Sequence, residues 1–268
     1  MRHASLFSGI GGFDLAADWM GWENVFHCDI NPFGKKVLEY YYPNSISYGD
    51  ITKTDFTIHR GDIDILTGGF PCQPYSHAGK RKGKEDERHL FPQMLRAIKE
   101  IRPRWIIGEN VYGLVNWNGG LVFHEVQSDL EAEGYEVFPY VLPACAINAP
   151  HRRDRIFFIA YSDKFRCNER NREYAEQSIN RRLDALNDIG TMSAQESSTN
   201  STKSKENRWK EFPTVSPICN GDDGLSDRLD SITFSKWRKQ SIIAGGNAVI
   251  PQLIYVLFKT IQKFEECK

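Results

Sequence analysis

A cysteine on a turn rich in glycine and proline follows an apolar strand, and this arrangement constrains the fold most. The strand is Ile63–Leu66 and the turn is Gly68-Gly69-Phe70-Pro71-Cys72-Gln73-Pro74-Tyr75-Ser76. Parallel α/β sheets bind ligands beyond the carboxyl ends of their strands, and glycine and proline fix a loop that can hold a thiol toward a cleft. Cys72 is therefore the candidate nucleophile, although a free cysteine taken alone is more often a small buried apolar residue.

Short apolar segments alternate with helical patterns up to residue 160, as in an α/β protein. This alternation predicts a doubly wound, Rossmann-like and mostly parallel sheet. The last two strands fit a hairpin-like edge that completes a sheet of seven strands. The predicted strands are Ala4–Phe7, Val25–Asp29, Ser45–Tyr48, Ile63–Leu66, Arg104–Ile107, Glu136–Leu142 and Ile156–Ala160.

A glycine loop, Ser8-Gly9-Ile10-Gly11-Gly12, joins the first strand to the first helix. Such a loop brings backbone N–H groups close to a ligand at a helix start, although a tight turn made for packing gives the same pattern. The dinucleotide pattern Gly-x-Gly-x-x-Gly is not met, because Asp14 stands at its last position, and this argues against a nicotinamide oxidoreductase. Asp29, at the tip of the second strand, is placed to accept hydrogen bonds from ribose hydroxyls.

Composition and charge exclude several classes of protein. The net charge of -1 means that any phosphate binding must rest on local basic clusters. The six cysteines show no Cys-x-x-Cys pair, so we expect neither a metal site nor a disulfide framework, and a reduced, cytosolic chain. The sequence begins without an apolar signal region and has no uninterrupted apolar run of about 18 residues, so neither export nor a membrane anchor is expected.

A change of composition after Tyr161 predicts two regions, a main domain of residues 1–161 with 236–268 and a small second region of residues 162–235. The second region is polar, close to low complexity between Met192 and Asn207, and carries many Arg and Lys residues. A solvated helix followed by a disordered linker is the alternative.

The charged residues 79–88 predict a lid over the cleft, with a solvated loop as the alternative.

Several motifs resemble, in order, those of the DNA cytosine-5 methyltransferase family. Gly69-Phe70-Pro71-Cys72-Gln73-Pro74 is similar to the family's catalytic loop, and Phe7-Ser8-Gly9-Ile10-Gly11-Gly12 is similar to its S-adenosylmethionine loop. The further matches are Gly49-Asp50-Ile51, Glu109-Asn110-Val111, Arg153 with Arg155, and Gly246-Asn247-Ala248-Val249. The chain departs from the family pattern at Asp29, where Glu is usual, and at His151, where Gln is usual.

The resemblance implies the fold of S-adenosylmethionine-dependent methyltransferases with a small target-recognition region. The implied reaction transfers the methyl group of S-adenosylmethionine to C5 of a flipped-out cytosine in double-stranded DNA through a covalent adduct of Cys72. Glu109 would contact N3 of the cytosine, and Arg153, with Arg155, would hold the base. Because these two arginines stand at alternate positions entering a strand, we expect them to share one face. The implied cofactor-binding residues are Phe7, Gly9, Gly11, Gly12, Asp29, Asp50, Ile51, Pro71, Leu90 and Asn247. No metal is implied.

The resemblance also implies a monomer that acts on DNA in the cytoplasm of a bacterial or phage-infected cell, away from membranes. A cognate restriction endonuclease could act on the same site without binding the protein. Two other functions stay open from the residues alone. One is an RNA cytosine-5 methyltransferase acting on tRNA with the same motifs, and the other is a catalytically silent DNA-binding relic.

Overall fold

The computed structural model describes residues 1–71, 90–149, 151–162 and 236–267. The predictions for Cys72, for the charged loop 79–88 and for nearly all of the second region lie outside the described residues.

Seven strands and seven α-helices make up the described part of the chain. The strands are β1 (Arg2–Leu6), β2 (Glu23–Cys28), β3 (Ile46–Tyr48), β4 (Ile65–Gly69), β5 (Trp105–Val111), β6 (Tyr135–Leu142) and β7 (Arg155–Ser162). The helices are α1 (Gly12–Trp19), α2 (Pro32–Tyr41), α3 (Phe91–Ile101), α4 (Gly113–Asn116), α5 (Leu121–Ala132), α6 (Lys236–Asn247) and α7 (Pro251–Glu266). Short 3-10 turns lie at Thr57–His59, Trp117–Gly120 and Ala144–Ile147.

The strands form one sheet in the order β3-β2-β1-β4-β5-β7-β6. The neighbouring strands β3, β2, β1, β4 and β5 are parallel to one another, and β7 runs antiparallel to both β5 and β6. The prediction of a doubly wound, mostly parallel sheet of seven strands is confirmed. The carboxyl ends of β1, β2, β4 and β5 therefore lie along one rim, where such sheets bind ligands.

Local signals set several helix boundaries. Asn31 caps α2, because its side-chain oxygen accepts a hydrogen bond of 2.9 Å from the Phe33 N–H, and Pro32 occupies the first turn. Gly134 follows the end of α5 with a φ of 82°, which a glycine adopts without strain.

The strands β4 and β5 are longer than their apolar runs predict. β5 continues through Glu109 and Asn110 to Val111, because β7 pairs with it along its whole length. Glu109 pairs with Gly69 of β4 on one side and with Phe157 of β7 on the other. The register of three strands thus fixes the position of Glu109.

The core lies in two layers, one on each face of the sheet. Phe157 and Ile159 of β7 pack in the layer that contains α1 and α7, whereas Phe158 and Ala160 pack in the layer that contains α3 and α5. Strands covered on both faces read as continuous apolar runs, which explains the absence of polar alternation in β7.

The C-terminal helix α7 packs against α1 and buries Leu253, Ile254 and Phe258 in the core. By length and composition, residues 238–266 are apolar enough to cross a membrane. The chain is broken there into α6 and α7 by the turn between Asn247 and Pro251. Packing in the core accounts for the apolar stripe of α7.

We expect Gly34→Ala to destabilise the fold, because α2 approaches the glycine loop at this residue. A Cβ atom on Gly34 would lie 2.2 Å from the carbonyl oxygen of Gly9, so backbone would have to move. Overpacking of this kind costs about 1–3 kcal/mol of unfolding free energy, measurable by urea denaturation.

Gly49→Ala is the matched control, because the new Cβ would meet only the Lys35 Nζ atom, at 3.9 Å. Its unfolding free energy should stay within about 0.5 kcal/mol of the parent. Equal stability of the two variants would contradict the close approach of α2 to the loop.

Candidate active site

A cavity of about 650 Å³ opens at the rim formed by the carboxyl ends of β1, β2, β4 and β5. This volume is within the range of small-molecule and cofactor pockets. Helix α6 and the turn after it also line the cavity. The predicted site residues that line the cavity are Phe7, Gly9, Gly12, Asp29, Asp50, Ile51, Pro71, Leu90, Glu109, Arg155 and Asn247.

The glycine loop between β1 and α1 forms one wall. Phe7 and Gly9 have left-handed φ angles of 52° and 58°, and the loop is tied to β2 by hydrogen bonds between Ser8 and the backbone of Cys28. Gly11 is different, because a Cβ on it would meet Leu38 of α2 at 2.8 Å. The structure therefore places Gly11 against α2 as the N-cap of α1, away from the cavity wall.

Asp14, which breaks the dinucleotide pattern, is fully buried and faces the sheet. Its Oδ1 accepts a hydrogen bond of 2.8 Å from the Ser5 hydroxyl. Burial raises its pKa to about 7. Asp14 is not among the cavity-lining residues, so its carboxyl contributes to the loop's support and not to a ligand-binding wall.

Asp29 braces the glycine loop from the tip of β2. Its Oδ2 accepts the Gly9 N–H at 2.7 Å, and its Oδ1 accepts the Asn31 N–H at 2.7 Å. Burial raises the pKa of this carboxyl, and the two backbone N–H groups oppose that rise. A ribose hydroxyl could donate to the lone pairs that these two bonds leave open.

Asp50 and Ile51 line the cavity beyond Asp29. The Asp50 Oδ1 accepts hydrogen bonds from the Thr52 hydroxyl at 2.7 Å and from the Thr52 N–H at 3.0 Å, and these bonds lower the Asp50 pKa. Ile51 is buried, and its carbonyl accepts a hydrogen bond from Arg96. This corner therefore offers a fixed carboxylate beside an apolar surface.

Several lining residues were missed by the sequence reasoning. Ile30 directly follows the acid at the tip of β2, and its exposed fraction of 73% is unusual for so large an apolar residue. Its place directly after a strand-end acid is the sequence signal that could have identified it. The others come mainly from the glycine loop and from the C-terminal segment: Ser8, Asn31, Gln240, Ile243, Ala244 and Val249.

Glu109 of β5 lines the cavity, with Arg155 beside it. The Arg155 Nε atom lies 3.1 Å from the Glu109 Oε1 atom. A Cβ on Gly69 would lie 3.0 Å from the other carboxyl oxygen, so this glycine leaves room for the acid. Burial raises the pKa of Glu109 to about 7, against the opposing effect of Arg155 and then of Arg153.

At neutral pH this carboxyl therefore exists in both forms. It can donate a proton to a ring nitrogen or accept a hydrogen bond from an amino group, and the Arg155 guanidinium can bind a neighbouring carbonyl oxygen. This combination suits a polar heterocycle.

The expectation that Arg153 and Arg155 share one face of a strand is wrong. β7 begins at Arg155, and Arg153 has a φ of 38°, so the alternation of an extended strand does not reach it. The Arg153 Nη2 atom instead donates a hydrogen bond of 2.9 Å to the Gly246 carbonyl of α6. His151, where the family has Gln, is exposed.

Asn110 fixes the chain where it leaves β4 toward the cysteine. Its Nδ2 donates a hydrogen bond of 3.0 Å to the Phe70 carbonyl, and its Oδ1 accepts the Val111 N–H at 2.8 Å. Phe70 is buried and Pro71 lines the cavity. Cys72 follows directly in the sequence and lies outside the described residues, so its position stays a prediction.

We expect Glu109→Gln to change stability in a pH-dependent way. The pKa of Glu109 is raised from its ordinary value of 4.5 to about 7 in the folded protein, so the folded state binds this proton more tightly than the unfolded chain does. The free energy of unfolding of the parent therefore falls as the pH rises through that interval. Relative to the parent, the variant should therefore gain up to about 3 kcal/mol between pH 4.5 and 7, measured by urea denaturation.

Glu131→Gln, at an exposed position of α5, controls for the loss of one negative charge. A stability difference between Glu109→Gln and the parent that stays constant across this interval would contradict the burial of the Glu109 carboxyl.

Comparison with known proteins gives consistent results. The family model described as C-5 cytosine-specific DNA methylase matches residues 1–242. The Type II methyltransferase M.Eco47II of Escherichia coli is 38% identical over 158 residues, which are 58% of this chain and 38% of that protein. M.MspI of Moraxella sp is 38% identical over 164 residues, 60% of this chain and 38% of that protein. The matched part thus spans well under half the length of these relatives.

Solved structures agree in fold. The Dnmt2 methyltransferase of S. pombe has a TM-score of 0.51 at 24% identity, with 63% of this chain and 52% of that chain covered. The methyltransferase EhMeth of Entamoeba histolytica has a TM-score of 0.51 at 22% identity, with 63% of this chain and 55% of that chain covered. At these identities the likeness describes the fold alone.

Proposed function

Because this chain belongs to the C-5 cytosine-specific DNA methylase family, we propose that it transfers a methyl group from S-adenosylmethionine to C5 of cytosine in double-stranded DNA. One observation carries the proposal. The glycine-loop pocket and the Glu109–Arg155 ion pair belong to one cavity, and Pro71, directly before Cys72 in the sequence, lines that cavity.

The cavity fits S-adenosylmethionine in size and in chemistry. Ile30, Ile51 and Val249 offer apolar surface for an adenine ring, and the Asp29 and Asp50 carboxylates can accept hydrogen bonds from hydroxyl and amino groups. Carboxylates also suit a cationic sulfonium compound. Gly9, Gly12, Phe7, Pro71, Leu90 and Asn247 complete the proposed binding set. When bound, the cofactor supplies an electrophilic methyl group.

The cytosine ring needs activation by the protein, because its C5 is a poor nucleophile. In the proposed reaction the Cys72 thiolate adds to C6, the S–C6 bond forms, and an electron pair of the ring shifts toward C5. After methylation, loss of the C5 proton to a base and expulsion of the thiolate restore the ring.

Glu109 would stabilise the negative charge that the addition creates. Its carboxyl, with a pKa of about 7, can deliver a proton or a strong hydrogen bond to N3 at neutral pH and return it later. Arg155, whose Nε atom lies 3.1 Å from this carboxyl, would bind the O2 atom of the same base. The pair would thereby orient the ring for attack on C6.

A base inside a duplex cannot reach this cavity, so the target cytosine must leave the helix at a cost of a few kcal/mol. We propose that residues 162–235 form the target-recognition region that stabilises the extruded base, and that residues 1–161 with 236–268 form the catalytic domain. The charged residues 79–88 would close over the base. We also propose that the protein acts as a monomer in the cytoplasm.

We expect Cys72→Ala to reduce methyl transfer by at least about a thousandfold, because the addition to C6 has no substitute nucleophile. The measurement is transfer of a labelled methyl group to duplex DNA and, separately, to tRNA. The parent should label DNA and form a covalent adduct with DNA that contains 5-fluorocytosine.

Cys145→Ser, which changes an exposed cysteine, is the control and should stay active. Methylation retained by Cys72→Ala would contradict the mechanism. Transfer to tRNA but not to DNA would favour an RNA methyltransferase, and DNA binding without any adduct would favour a catalytically silent protein.

A further inference from the structure

Helix α6 covers the cofactor side of the cavity but has little core packing of its own. Ile243 and Ala244 of α6 line the cavity, as does Asn247 at its end. Ile242 and Ile243 are 55% and 53% exposed, and a Cβ on Gly245 or Gly246 would meet no atom of the described residues within 4 Å. Contacts at its C-terminal end therefore matter more for its position than burial does.

Two contacts fix that end. Val249, just beyond α6, lies against Gly12 of the glycine loop, where a Cβ would approach the Val249 side chain to 2.7 Å. Arg153 donates its hydrogen bond of 2.9 Å to the Gly246 carbonyl, in the last turn of α6. The last carbonyls of a helix lack partners within the helix and carry partial negative charge, so a guanidinium is a favourable partner there.

The backbone conformation of Arg153 is unusual. Its φ of 38° lies in the left-handed region, which is costly for a residue with a side chain. This turn takes Arg153 out of the β7 alternation and leaves Arg155 alone to face the cavity. Arg153 remains close enough to Glu109 to lower the pKa of that carboxyl.

We propose that Arg153 is a positioning residue that holds α6 over the cofactor pocket, rather than a group that binds the target base. The inference rests on the proposed function, because it assigns Arg153 to the S-adenosylmethionine half of the same cavity. It divides the two arginines of the motif: Arg155 serves the base and Arg153 serves the cofactor through α6.

The test measures the binding of S-adenosylhomocysteine by calorimetry, without DNA. Arg153→Ala and Arg153→Met both remove the hydrogen bond to Gly246, and Met keeps most of the side-chain stem. Both variants should raise the Kd about tenfold, the loss expected for a charge-assisted hydrogen bond. Because binding measured without DNA involves no contact with a base, this Kd separates the two roles, and at saturating S-adenosylmethionine the change in kcat on DNA should be smaller than the change in Kd.

Arg152→Ala is the matched control. This neighbouring arginine is 82% exposed, pairs with Asp154, and its loss changes the net charge equally. Its Kd should stay within about twofold of the parent. Circular dichroism and thermal melting confirm that each variant is folded.

Unchanged cofactor binding in Arg153→Met, with a large loss of kcat, would overturn the inference and return Arg153 to the base. A parent protein that fails to bind S-adenosylhomocysteine would contradict the proposed function itself, and the inference with it.

Discussion

The pairing of β5 with β7 is the constraint on which the site depends. In the antiparallel register Glu109 lies opposite Phe157, and Arg155 is the diagonal neighbour on the same face. A shift of one residue would send Glu109 to the other face of the sheet and separate it from Arg155. On the opposite side, Gly69 of β4 leaves space for the carboxyl. An acid and a cation that are 46 positions apart in the chain thus meet without water between their nearest atoms, at 3.1 Å.

Close backbone contacts organise the other half of the cavity. Gly34 lets α2 approach the Gly9 carbonyl, and Gly12 lets α1 approach Val249. The second contact joins the first loop of the chain to its C-terminal segment, so the pocket is complete only when both ends of the described chain are in place. Stability of the fold and shape of the pocket therefore depend on the same few contacts.

Sequence patterns predicted the sheet and its rim, because apolar runs and glycine loops report local structure directly, and eleven of the predicted site residues line the cavity. They did not predict the direction of Arg153, since a left-handed φ at a non-glycine residue follows from tertiary contacts and not from residue type. Helix α6 was missed because its exposed isoleucines and paired glycines give no clear amphipathic pattern. The raised pKa of Glu109 depends on burial, which only the folded register supplies. The assignment of Cys72 as the nucleophile rests on the sequence motif and on the position of Pro71, which directly precedes it.

The site depends on Glu109 being a desolvated acid that is half protonated near neutral pH. The most direct measurement is a pH titration of the side-chain carboxyl by carbon-13 NMR, with Glu109→Gln used to assign the signal. We expect an apparent pKa of about 7 in the free protein. A midpoint near 4.5, the ordinary value for glutamic acid, would show that the carboxyl is not desolvated.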